Sequence, residues 1–179
     1  MSDILLISAE FIKSISSISD NLSSKYLTPS IREAQDIDFR NIVGYTMLEK
    51  LKTLSKSKEI DTPENALYKE LLEMSRYFMT YATLVYVTMK TSYKISNIGV
   101  SRTTDDNVQS VSFDEVQKVA DYYRSRADYY KNSLQEWLIF HQANLPELSE
   151  RTKNQTKANL HSSATTSIWL GGARGKKIR

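Results

Sequence analysis

The sequence predicts a mainly α protein: a small helical bundle with two long helices, a short β-hairpin-like excursion between them and an extended C-terminal arm. Apolar residues recur at alternating steps of three and four over two long stretches, residues 63–90 and 113–144. Gly and Pro number five and three in 179 residues, too few for a loop-rich barrel. An apolar fraction of 40% supplies one proper core, so residues 1–150 read as a single helical body.

The elements follow in order. Ile4-Leu5-Leu6-Ile7 reads as a brief extended segment, and Ser8 as the cap of a first helix, with Glu10 complementing the helix dipole. Ser14 to Ser19 holds poor helix formers and reads as a turn or ragged helix end. Leu27, Ile31 and Ala34, then Phe39, Ile42 and Val43, mark one apolar side of the next helix. Pro29 lies within it, so either the helix begins near Thr28 with Pro29 at its first position, or it kinks there. Gly44 closes it as a C′ residue. Met47, Leu48, Leu51 and Leu54 mark a short third helix.

Thr62-Pro63-Glu64 reads as a hydroxyl cap, a proline at the first helical position and an acid in the first turn. Behind it Leu67, Leu71, Met74, Phe78, Ala82, Val85 and Met89 form a buried stripe, widened by Tyr77, Tyr81, Leu84 and Tyr86. This helix should be central and touched from more than one side. Residues 93–111 change character: β-branched residues up to Val100, the turn cluster Thr103 to Asn107, then Val108 to Val111. They read as a small hairpin or as an irregular interhelical loop. Ser112-Phe113-Asp114-Glu115 is a capping box, and Val116, Ala120, Tyr123, Ala127, Tyr130, Leu134, Trp137 and His141 follow as the second long stripe. Pro146 should stop this helix near Asn144.

Charge divides the chain. Seven of the 24 basic and none of the 21 acidic residues lie beyond Glu150, so residues 151–179 carry +7 and the body −4. Three of the five glycines fall in the last nine residues, and Ser162 to Ser167 is almost wholly small and hydroxylated. This is the composition of a pliable basic arm. No apolar run approaches the ~18 residues of a membrane span, and Met1-Ser2-Asp3 lacks a basic signal start, so a soluble, intracellularly made protein without a membrane partner is expected.

Residues able to carry chemistry are sparse. Without Cys there is no disulfide scaffold, thiolate metal site or cysteine nucleophile. Of the two histidines, His141 falls on the buried phase of the last helix and reads as a core or rim residue, and His161 lies in the arm. Asp36 and Asp38 stand two apart on a helix, so their side chains diverge; Asp105 and Asp106 fit turn chemistry. No phosphate-binding glycine motif occurs. The expectation is a non-enzyme with no catalytic, cofactor-binding or metal-ligating residues.

Two features point instead to partners. Tyr122 and Tyr129, seven apart, form a second stripe beside Tyr123 and Tyr130; they either broaden one core or meet another subunit. In the arm, Ile168-Trp169-Leu170 is an apolar triplet bounded by Gly171-Gly172 and followed by Arg174, Lys176, Lys177 and Arg179. Burying the triplet contributes several kcal/mol at about 25 cal/mol per Å², while the cations add attraction to an acidic surface or to phosphate. The triplet anchors the arm on its own body, a neighbouring copy or a partner, or else it is a stray apolar spot in a loose tail. Nucleic-acid binding through the basic arm is the alternative function, marked by a steep salt dependence of duplex affinity.

Ile7-Ser8-Ala9-Glu10-Phe11-Ile12-Lys13, Tyr26 to Gln35, and Gly44 with Met47 to Leu51 resemble the opening of head-to-tail connector (adaptor, or head-completion) proteins of tailed bacteriophages, most of all those of crAss-like Bacteroides phages. Lys94 to Val100 is similar to the loop joining the two long helices in that group, Tyr122 to Leu134 to its final helix, and Ser167 to Gly171 to its chain ends. The resemblance spans residues 4 to about 145 through short, degenerate motifs. It implies a helical subunit of a homo-oligomeric ring, typically twelve-fold, at the portal vertex of the virion, made in the host cytoplasm. The ring extends the DNA channel and meets portal protein and tail or further ring proteins; the arm clasps neighbouring subunits or portal. The net acidic body departs from a strongly DNA-binding channel wall, so DNA is expected to pass without sequence-specific binding.

Overall fold

The computed structural model describes residues 4–96, 99–102 and 112–148. Ile4 to Ile7 is irregular, with Leu6 and Ile7 buried. Ser8 then caps α1 (Ala9–Ile15), its hydroxyl accepting the Phe11 N–H at 3.1 Å. The helix ends where the serines begin: Ser14 and Ser16 turn their hydroxyls back onto the carbonyls of Phe11 and Ile12 and compete with its continuation.

α2 (Ser24–Glu33) is capped by Ser23 and starts well ahead of Thr28, so Pro29 sits inside the helix and not at its first position. The N–H that Pro29 lacks would have donated to the Lys25 carbonyl, in the first turn, and that one hydrogen bond is what the helix forgoes. Ser30 follows by donating its hydroxyl to the Tyr26 carbonyl at 2.7 Å. α2 continues without a break into a π-helical turn, Ala34–Phe39, and then α3 (Arg40–Val43). Arg40 N–H reaches back to the carbonyl of Gln35, five residues earlier. The apolar step from Ala34 to Phe39, five where four is usual, is the sequence mark of that wider turn. Gly44 ends the run at φ 87°, ψ 165°, a region closed to residues with a Cβ.

α4 (Tyr45–Ser57) buries Met47, Leu48, Leu51 and Leu54, as its spacing predicts. Two short 3₁₀ turns, Glu59–Asp61 and Pro63–Asn65, precede α5 (Ala66–Ser92), which therefore begins three residues beyond Pro63. Thr62 is not a side-chain cap here. Its hydroxyl donates to the Glu59 carbonyl at 2.8 Å and receives the Asn65 amide at 3.0 Å, tying the two turns together.

α5 is the centre of the molecule, packed against α6, α2 and the π turn. Leu71, Leu72, Phe78, Met79, Leu84 and Val87 are buried around much of its circumference, whereas Met89, at the far end of the predicted stripe, is exposed. Four strand residues follow, β1 (Tyr93–Ser96), paired antiparallel with β2 (Gly99–Arg102) so that Ile95 lies opposite Val100.

α6 (Phe113–His141) opens on the full capping box: Ser112 Oγ accepts the Glu115 N–H at 3.3 Å, and the Glu115 carboxylate accepts the Ser112 N–H at 2.7 Å. It runs antiparallel to α5, since Trp137 meets Glu70, Tyr130 meets Tyr77, and Tyr123 shares a groove with Leu84. Val116, Ala120, Ala127, Leu134 and Leu138 are its buried residues. After a 3₁₀ turn, Gln142–Asn144, Leu145 and Leu148 return to the core and Glu147 accepts the Tyr68 hydroxyl at 2.6 Å. Burial and that carboxylate push the Tyr68 phenol up to about 12. The arm, residues 151–179, and the turn cluster Thr103 to Asn107 lie outside the described residues.

The N-terminal segment is held by one residue that the sequence did not single out. Gln35, fully buried on the π turn, accepts the Leu6 N–H at 2.8 Å and donates to the Ile4 carbonyl at 3.2 Å and to Asp36 at 3.1 Å. It answers a backbone N–H and a backbone C=O as a neighbouring strand would.

Candidate interaction surface

Outward from the α5–α6 seam the aromatic residues form a ladder. Tyr130 of α6 lies near-parallel to both Tyr77 and Tyr81 of α5, each centroid 5.5 Å away at 18° and 8°. The four-residue step between Tyr77 and Tyr81 sets two rings on one helix face, so a single tyrosine from α6 serves both. Tyr77 continues to Phe11 of α1, edge-on at 6.2 Å, and Tyr129 stands edge-on to Tyr130 at 5.3 Å. Further along α6, Tyr122 meets Tyr123 at 5.4 Å and carries the Arg126 guanidinium 5.4 Å over its ring. Such pairs add about 0.5–1.5 kcal/mol each beyond the area they bury.

The inner rungs belong to the core and the outer ones face water. Tyr123 and Tyr130 pack against the core cluster, but Tyr129 is 66% exposed, Tyr122 54% and Tyr77 43%. Of the two readings of the Tyr122–Tyr129 stripe, broadening of the core is thus excluded by their exposure. A depression of about 530 Å³ lies at this face, lined by Phe11, Tyr77, Tyr129 and Tyr130 with Glu73 and Arg76 at its polar edge.

Elsewhere on the α5–α6 pair, the π turn and α3 leave a more polar cleft of about 700 Å³, floored by Phe78, Ala82 and Val85. Arg124, Asp128 and Lys131 line it from α6, and Asp38 and Tyr86 from the π turn and α5. Asp38 is half-buried, and desolvation holds its carboxyl above the usual range, against the pull of a hydrogen bond from Tyr86 and the charge of Lys131. Burial and the Asp38 charge push the Tyr86 phenol up to about 12. Asp36, two residues away, turns to Lys52 at 3.1 Å, so the two aspartates diverge as their spacing predicts.

The remaining predicted residues fall as follows. His141 stacks on Trp137 at 4.3 Å and meets Phe140 edge-on at 4.9 Å, a rim position at the end of α6. Ile168, Trp169, Leu170, Arg174, Lys176, Lys177, Arg179, His161 and the Asp105–Asp106 pair lie outside the described residues. Among the described residues no group of three or more His, Asp or Glu side chains could hold a metal ion, and no helix is long and apolar enough to cross a membrane. The ladder's α5 and α1 rungs were not legible as surface: Tyr77 and Tyr81 read as extra width on a buried stripe, and nothing local marks Phe11 as their neighbour.

A family model of unknown function matches residues 39–158. The chain belongs to the DUF6712 family. No curated protein and no solved structure matches it significantly. The DUF6712 match opens at Phe39, the last residue of the π turn, and takes in α3 to α6 with β1 and β2. Tyr77, Tyr81, Tyr122, Tyr129 and Tyr130 therefore lie inside the DUF6712 region, and Phe11 and Gln35 ahead of it.

Proposed function

We propose that this chain is a non-enzymatic, ring-forming structural protein of a tailed-phage virion, a head-to-tail connector subunit between portal and tail. The observation that carries the reading is the set of three exposed tyrosines, Tyr77, Tyr122 and Tyr129, standing on a packed aromatic ladder. Tyrosine loses little side-chain freedom on binding, offers a large apolar face, and keeps a hydroxyl for the rim, the combination that protein interfaces select. Held from behind by Tyr130 and Tyr123, these rings are already ordered, which lowers the cost of docking.

The resemblance of residues 4–145 to connector proteins supports the same reading, as does the mainly helical build. In the assembled ring, typically of twelve copies, the arm grips an adjacent subunit or the portal through Ile168, Trp169 and Leu170, steered by Arg174, Lys176, Lys177 and Arg179. DNA passes a body of net charge −4 without sequence-specific binding.

The test is mass under native conditions, with and without portal protein. A multimer, or a complex with portal, is expected from the wild type. The Tyr122→Ala/Tyr129→Ala double variant gives up two edge-on pairs and should lose about 1–3 kcal/mol of stability while staying folded, yet lose the assembly. Tyr130→Ala removes the partly buried rung that two others stack on and should cost about 2 kcal/mol or more in folding. A wild-type monomer indifferent to portal, or an unimpaired double variant, refutes the proposal.

A further inference from the structure

A third concavity on the α5–α6 pair, more apolar than the two already described, lies at the end farthest from Leu148. It holds about 370 Å³ between the α1–α2 connection, the last turns of α5 and the first turns of α6. Ile18 and Leu22 line it on one side, Leu84 and Val87 on another, Val116 and Val119 on the third. Val119 is 46% exposed, an apolar side chain left partly in water at the lip of an apolar groove. Glu115 stands at the edge, with Asp114 beside it in the first turn of α6; Lys118 offsets one of these charges, and Asp20, between Ser19 and Leu22, has the Lys13 ammonium on its own backbone carbonyl.

We infer that, in the free subunit, the Ile168-Trp169-Leu170 segment of the chain's own arm seats in this groove. Three arguments select that occupant. The triplet is an isolated apolar segment of the arm, and the groove offers a mainly apolar wall, interrupted by Ser19, Thr88, Thr91 and Ser92. The four basic residues that follow within nine positions, Arg174 to Arg179, complement Glu115 at the groove's edge, with Asp114 next to it in the chain. The tether reaches: from His141 back to Val119 along α6 is about 33 Å at ~1.5 Å per residue, while the twenty steps from Leu148 to Ile168 extend to about 70 Å.

The seat belongs to the chain's own arm because tethering makes the encounter intramolecular. Its effective concentration is on the order of mM, far above that of a neighbouring copy in dilute solution. The inference concerns the subunit before assembly and does not require a ring to form. It gives the arm a resting position from which a neighbour or the portal would have to draw it.

The chain has no cysteine, which makes a cross-linking test clean. Val119→Cys with Ser167→Cys, oxidised in dilute full-length protein, should close an intrachain disulfide about tenfold or more faster than Glu64→Cys with Ser167→Cys. Glu64 is exposed and lies just ahead of α5, at the end of the bundle where Tyr68 meets Glu147, so random collisions of the tether would favour it over Val119. Trp169→Ala should abolish the preference for Val119. Equal rates at the two sites, or a preference that survives Trp169→Ala, overturns the seat; a disulfide-linked dimer in place of the intrachain product assigns the groove to a neighbouring copy and overturns the own-chain occupant. Ring formation is read separately by native mass, so either idea can fail alone.

Discussion

Gln35→Leu is the substitution that most directly tests how the N-terminus is held. The variant fills the fully buried position with an apolar side chain of similar size but deletes the acceptor for Leu6 N–H and the donor to the Ile4 carbonyl. A buried amide left without a partner costs about 1–3 kcal/mol, and the half-exposed Ile4 carbonyl, which water can still reach, nearer 0.5–1 kcal/mol. A net loss of about 2–3 kcal/mol is expected. It is bounded above by what docking the segment contributes, since Leu6 and Ile7 can leave together, and full burial of two such side chains is worth about 1.5–3 kcal/mol each. Urea unfolding measures the loss, and hydrogen exchange locates it: the Leu6 amide should lose protection while amides of central α5 keep theirs. A Gln35→Leu loss below about 0.5 kcal/mol with Leu6 still protected would show that apolar packing alone fixes the segment and would refute the reasoning.

Two further outcomes follow from single positions. Gly44→Ala forces a Cβ into φ 87°, ψ 165° at the joint between α3 and α4, and should lower stability by about 1–3 kcal/mol, read as a lower urea midpoint at unchanged slope, whereas Thr46→Ala two residues on should stay within about 0.5 kcal/mol. Asp38→Asn removes a carboxyl whose folded pKa is raised by burial, while the amide oxygen can still accept from Tyr86. A raised carboxyl weighs against the fold at neutral pH, and the penalty disappears as pH falls through the folded pKa toward the unfolded value near 4. The variant should therefore be favoured most at neutral pH, with its advantage shrinking on acidification; thermal midpoints across that range would contradict this if the advantage grew instead.

Much of the fold is written in local chemistry. The capping box at Ser112 and Glu115, the Ser8 cap, Gly44 at the joint between α3 and α4 and the buried residues of α4 all follow from side chains within a few positions of each other. Interactions of that range act whether or not the rest of the chain has folded, so composition and spacing expose them. The start of α5 shows where this ends: Thr62 and Pro63 have the letters of a cap and a first helical residue, yet the Thr62 hydroxyl is engaged by Glu59 and Asn65, and the α-helix begins only at Ala66.

The candidate surface was half legible. Tyr122 and Tyr129 stand out because seven residues bring them to one side of α6, but spacing cannot say whether that side meets the core or water. Only the crossing of α5 and α6 decides it, by placing Tyr130 between Tyr77 and Tyr81 and leaving Tyr129 outside. Gln35 is the plainer case, for its partners lie 29 and 31 residues away, and no local pattern announces them.

By itself, then, the sequence determined the caps of α1 and α6, the buried residues of α4 and how charge divides between body and arm, because each of these is a property of neighbours along the chain. The tertiary structure alone decided which aromatic rings are core and which are surface, which carboxylate is desolvated, and what holds the first residues in place. Those depend on distances between segments far apart in sequence, set by packing that no single helix specifies.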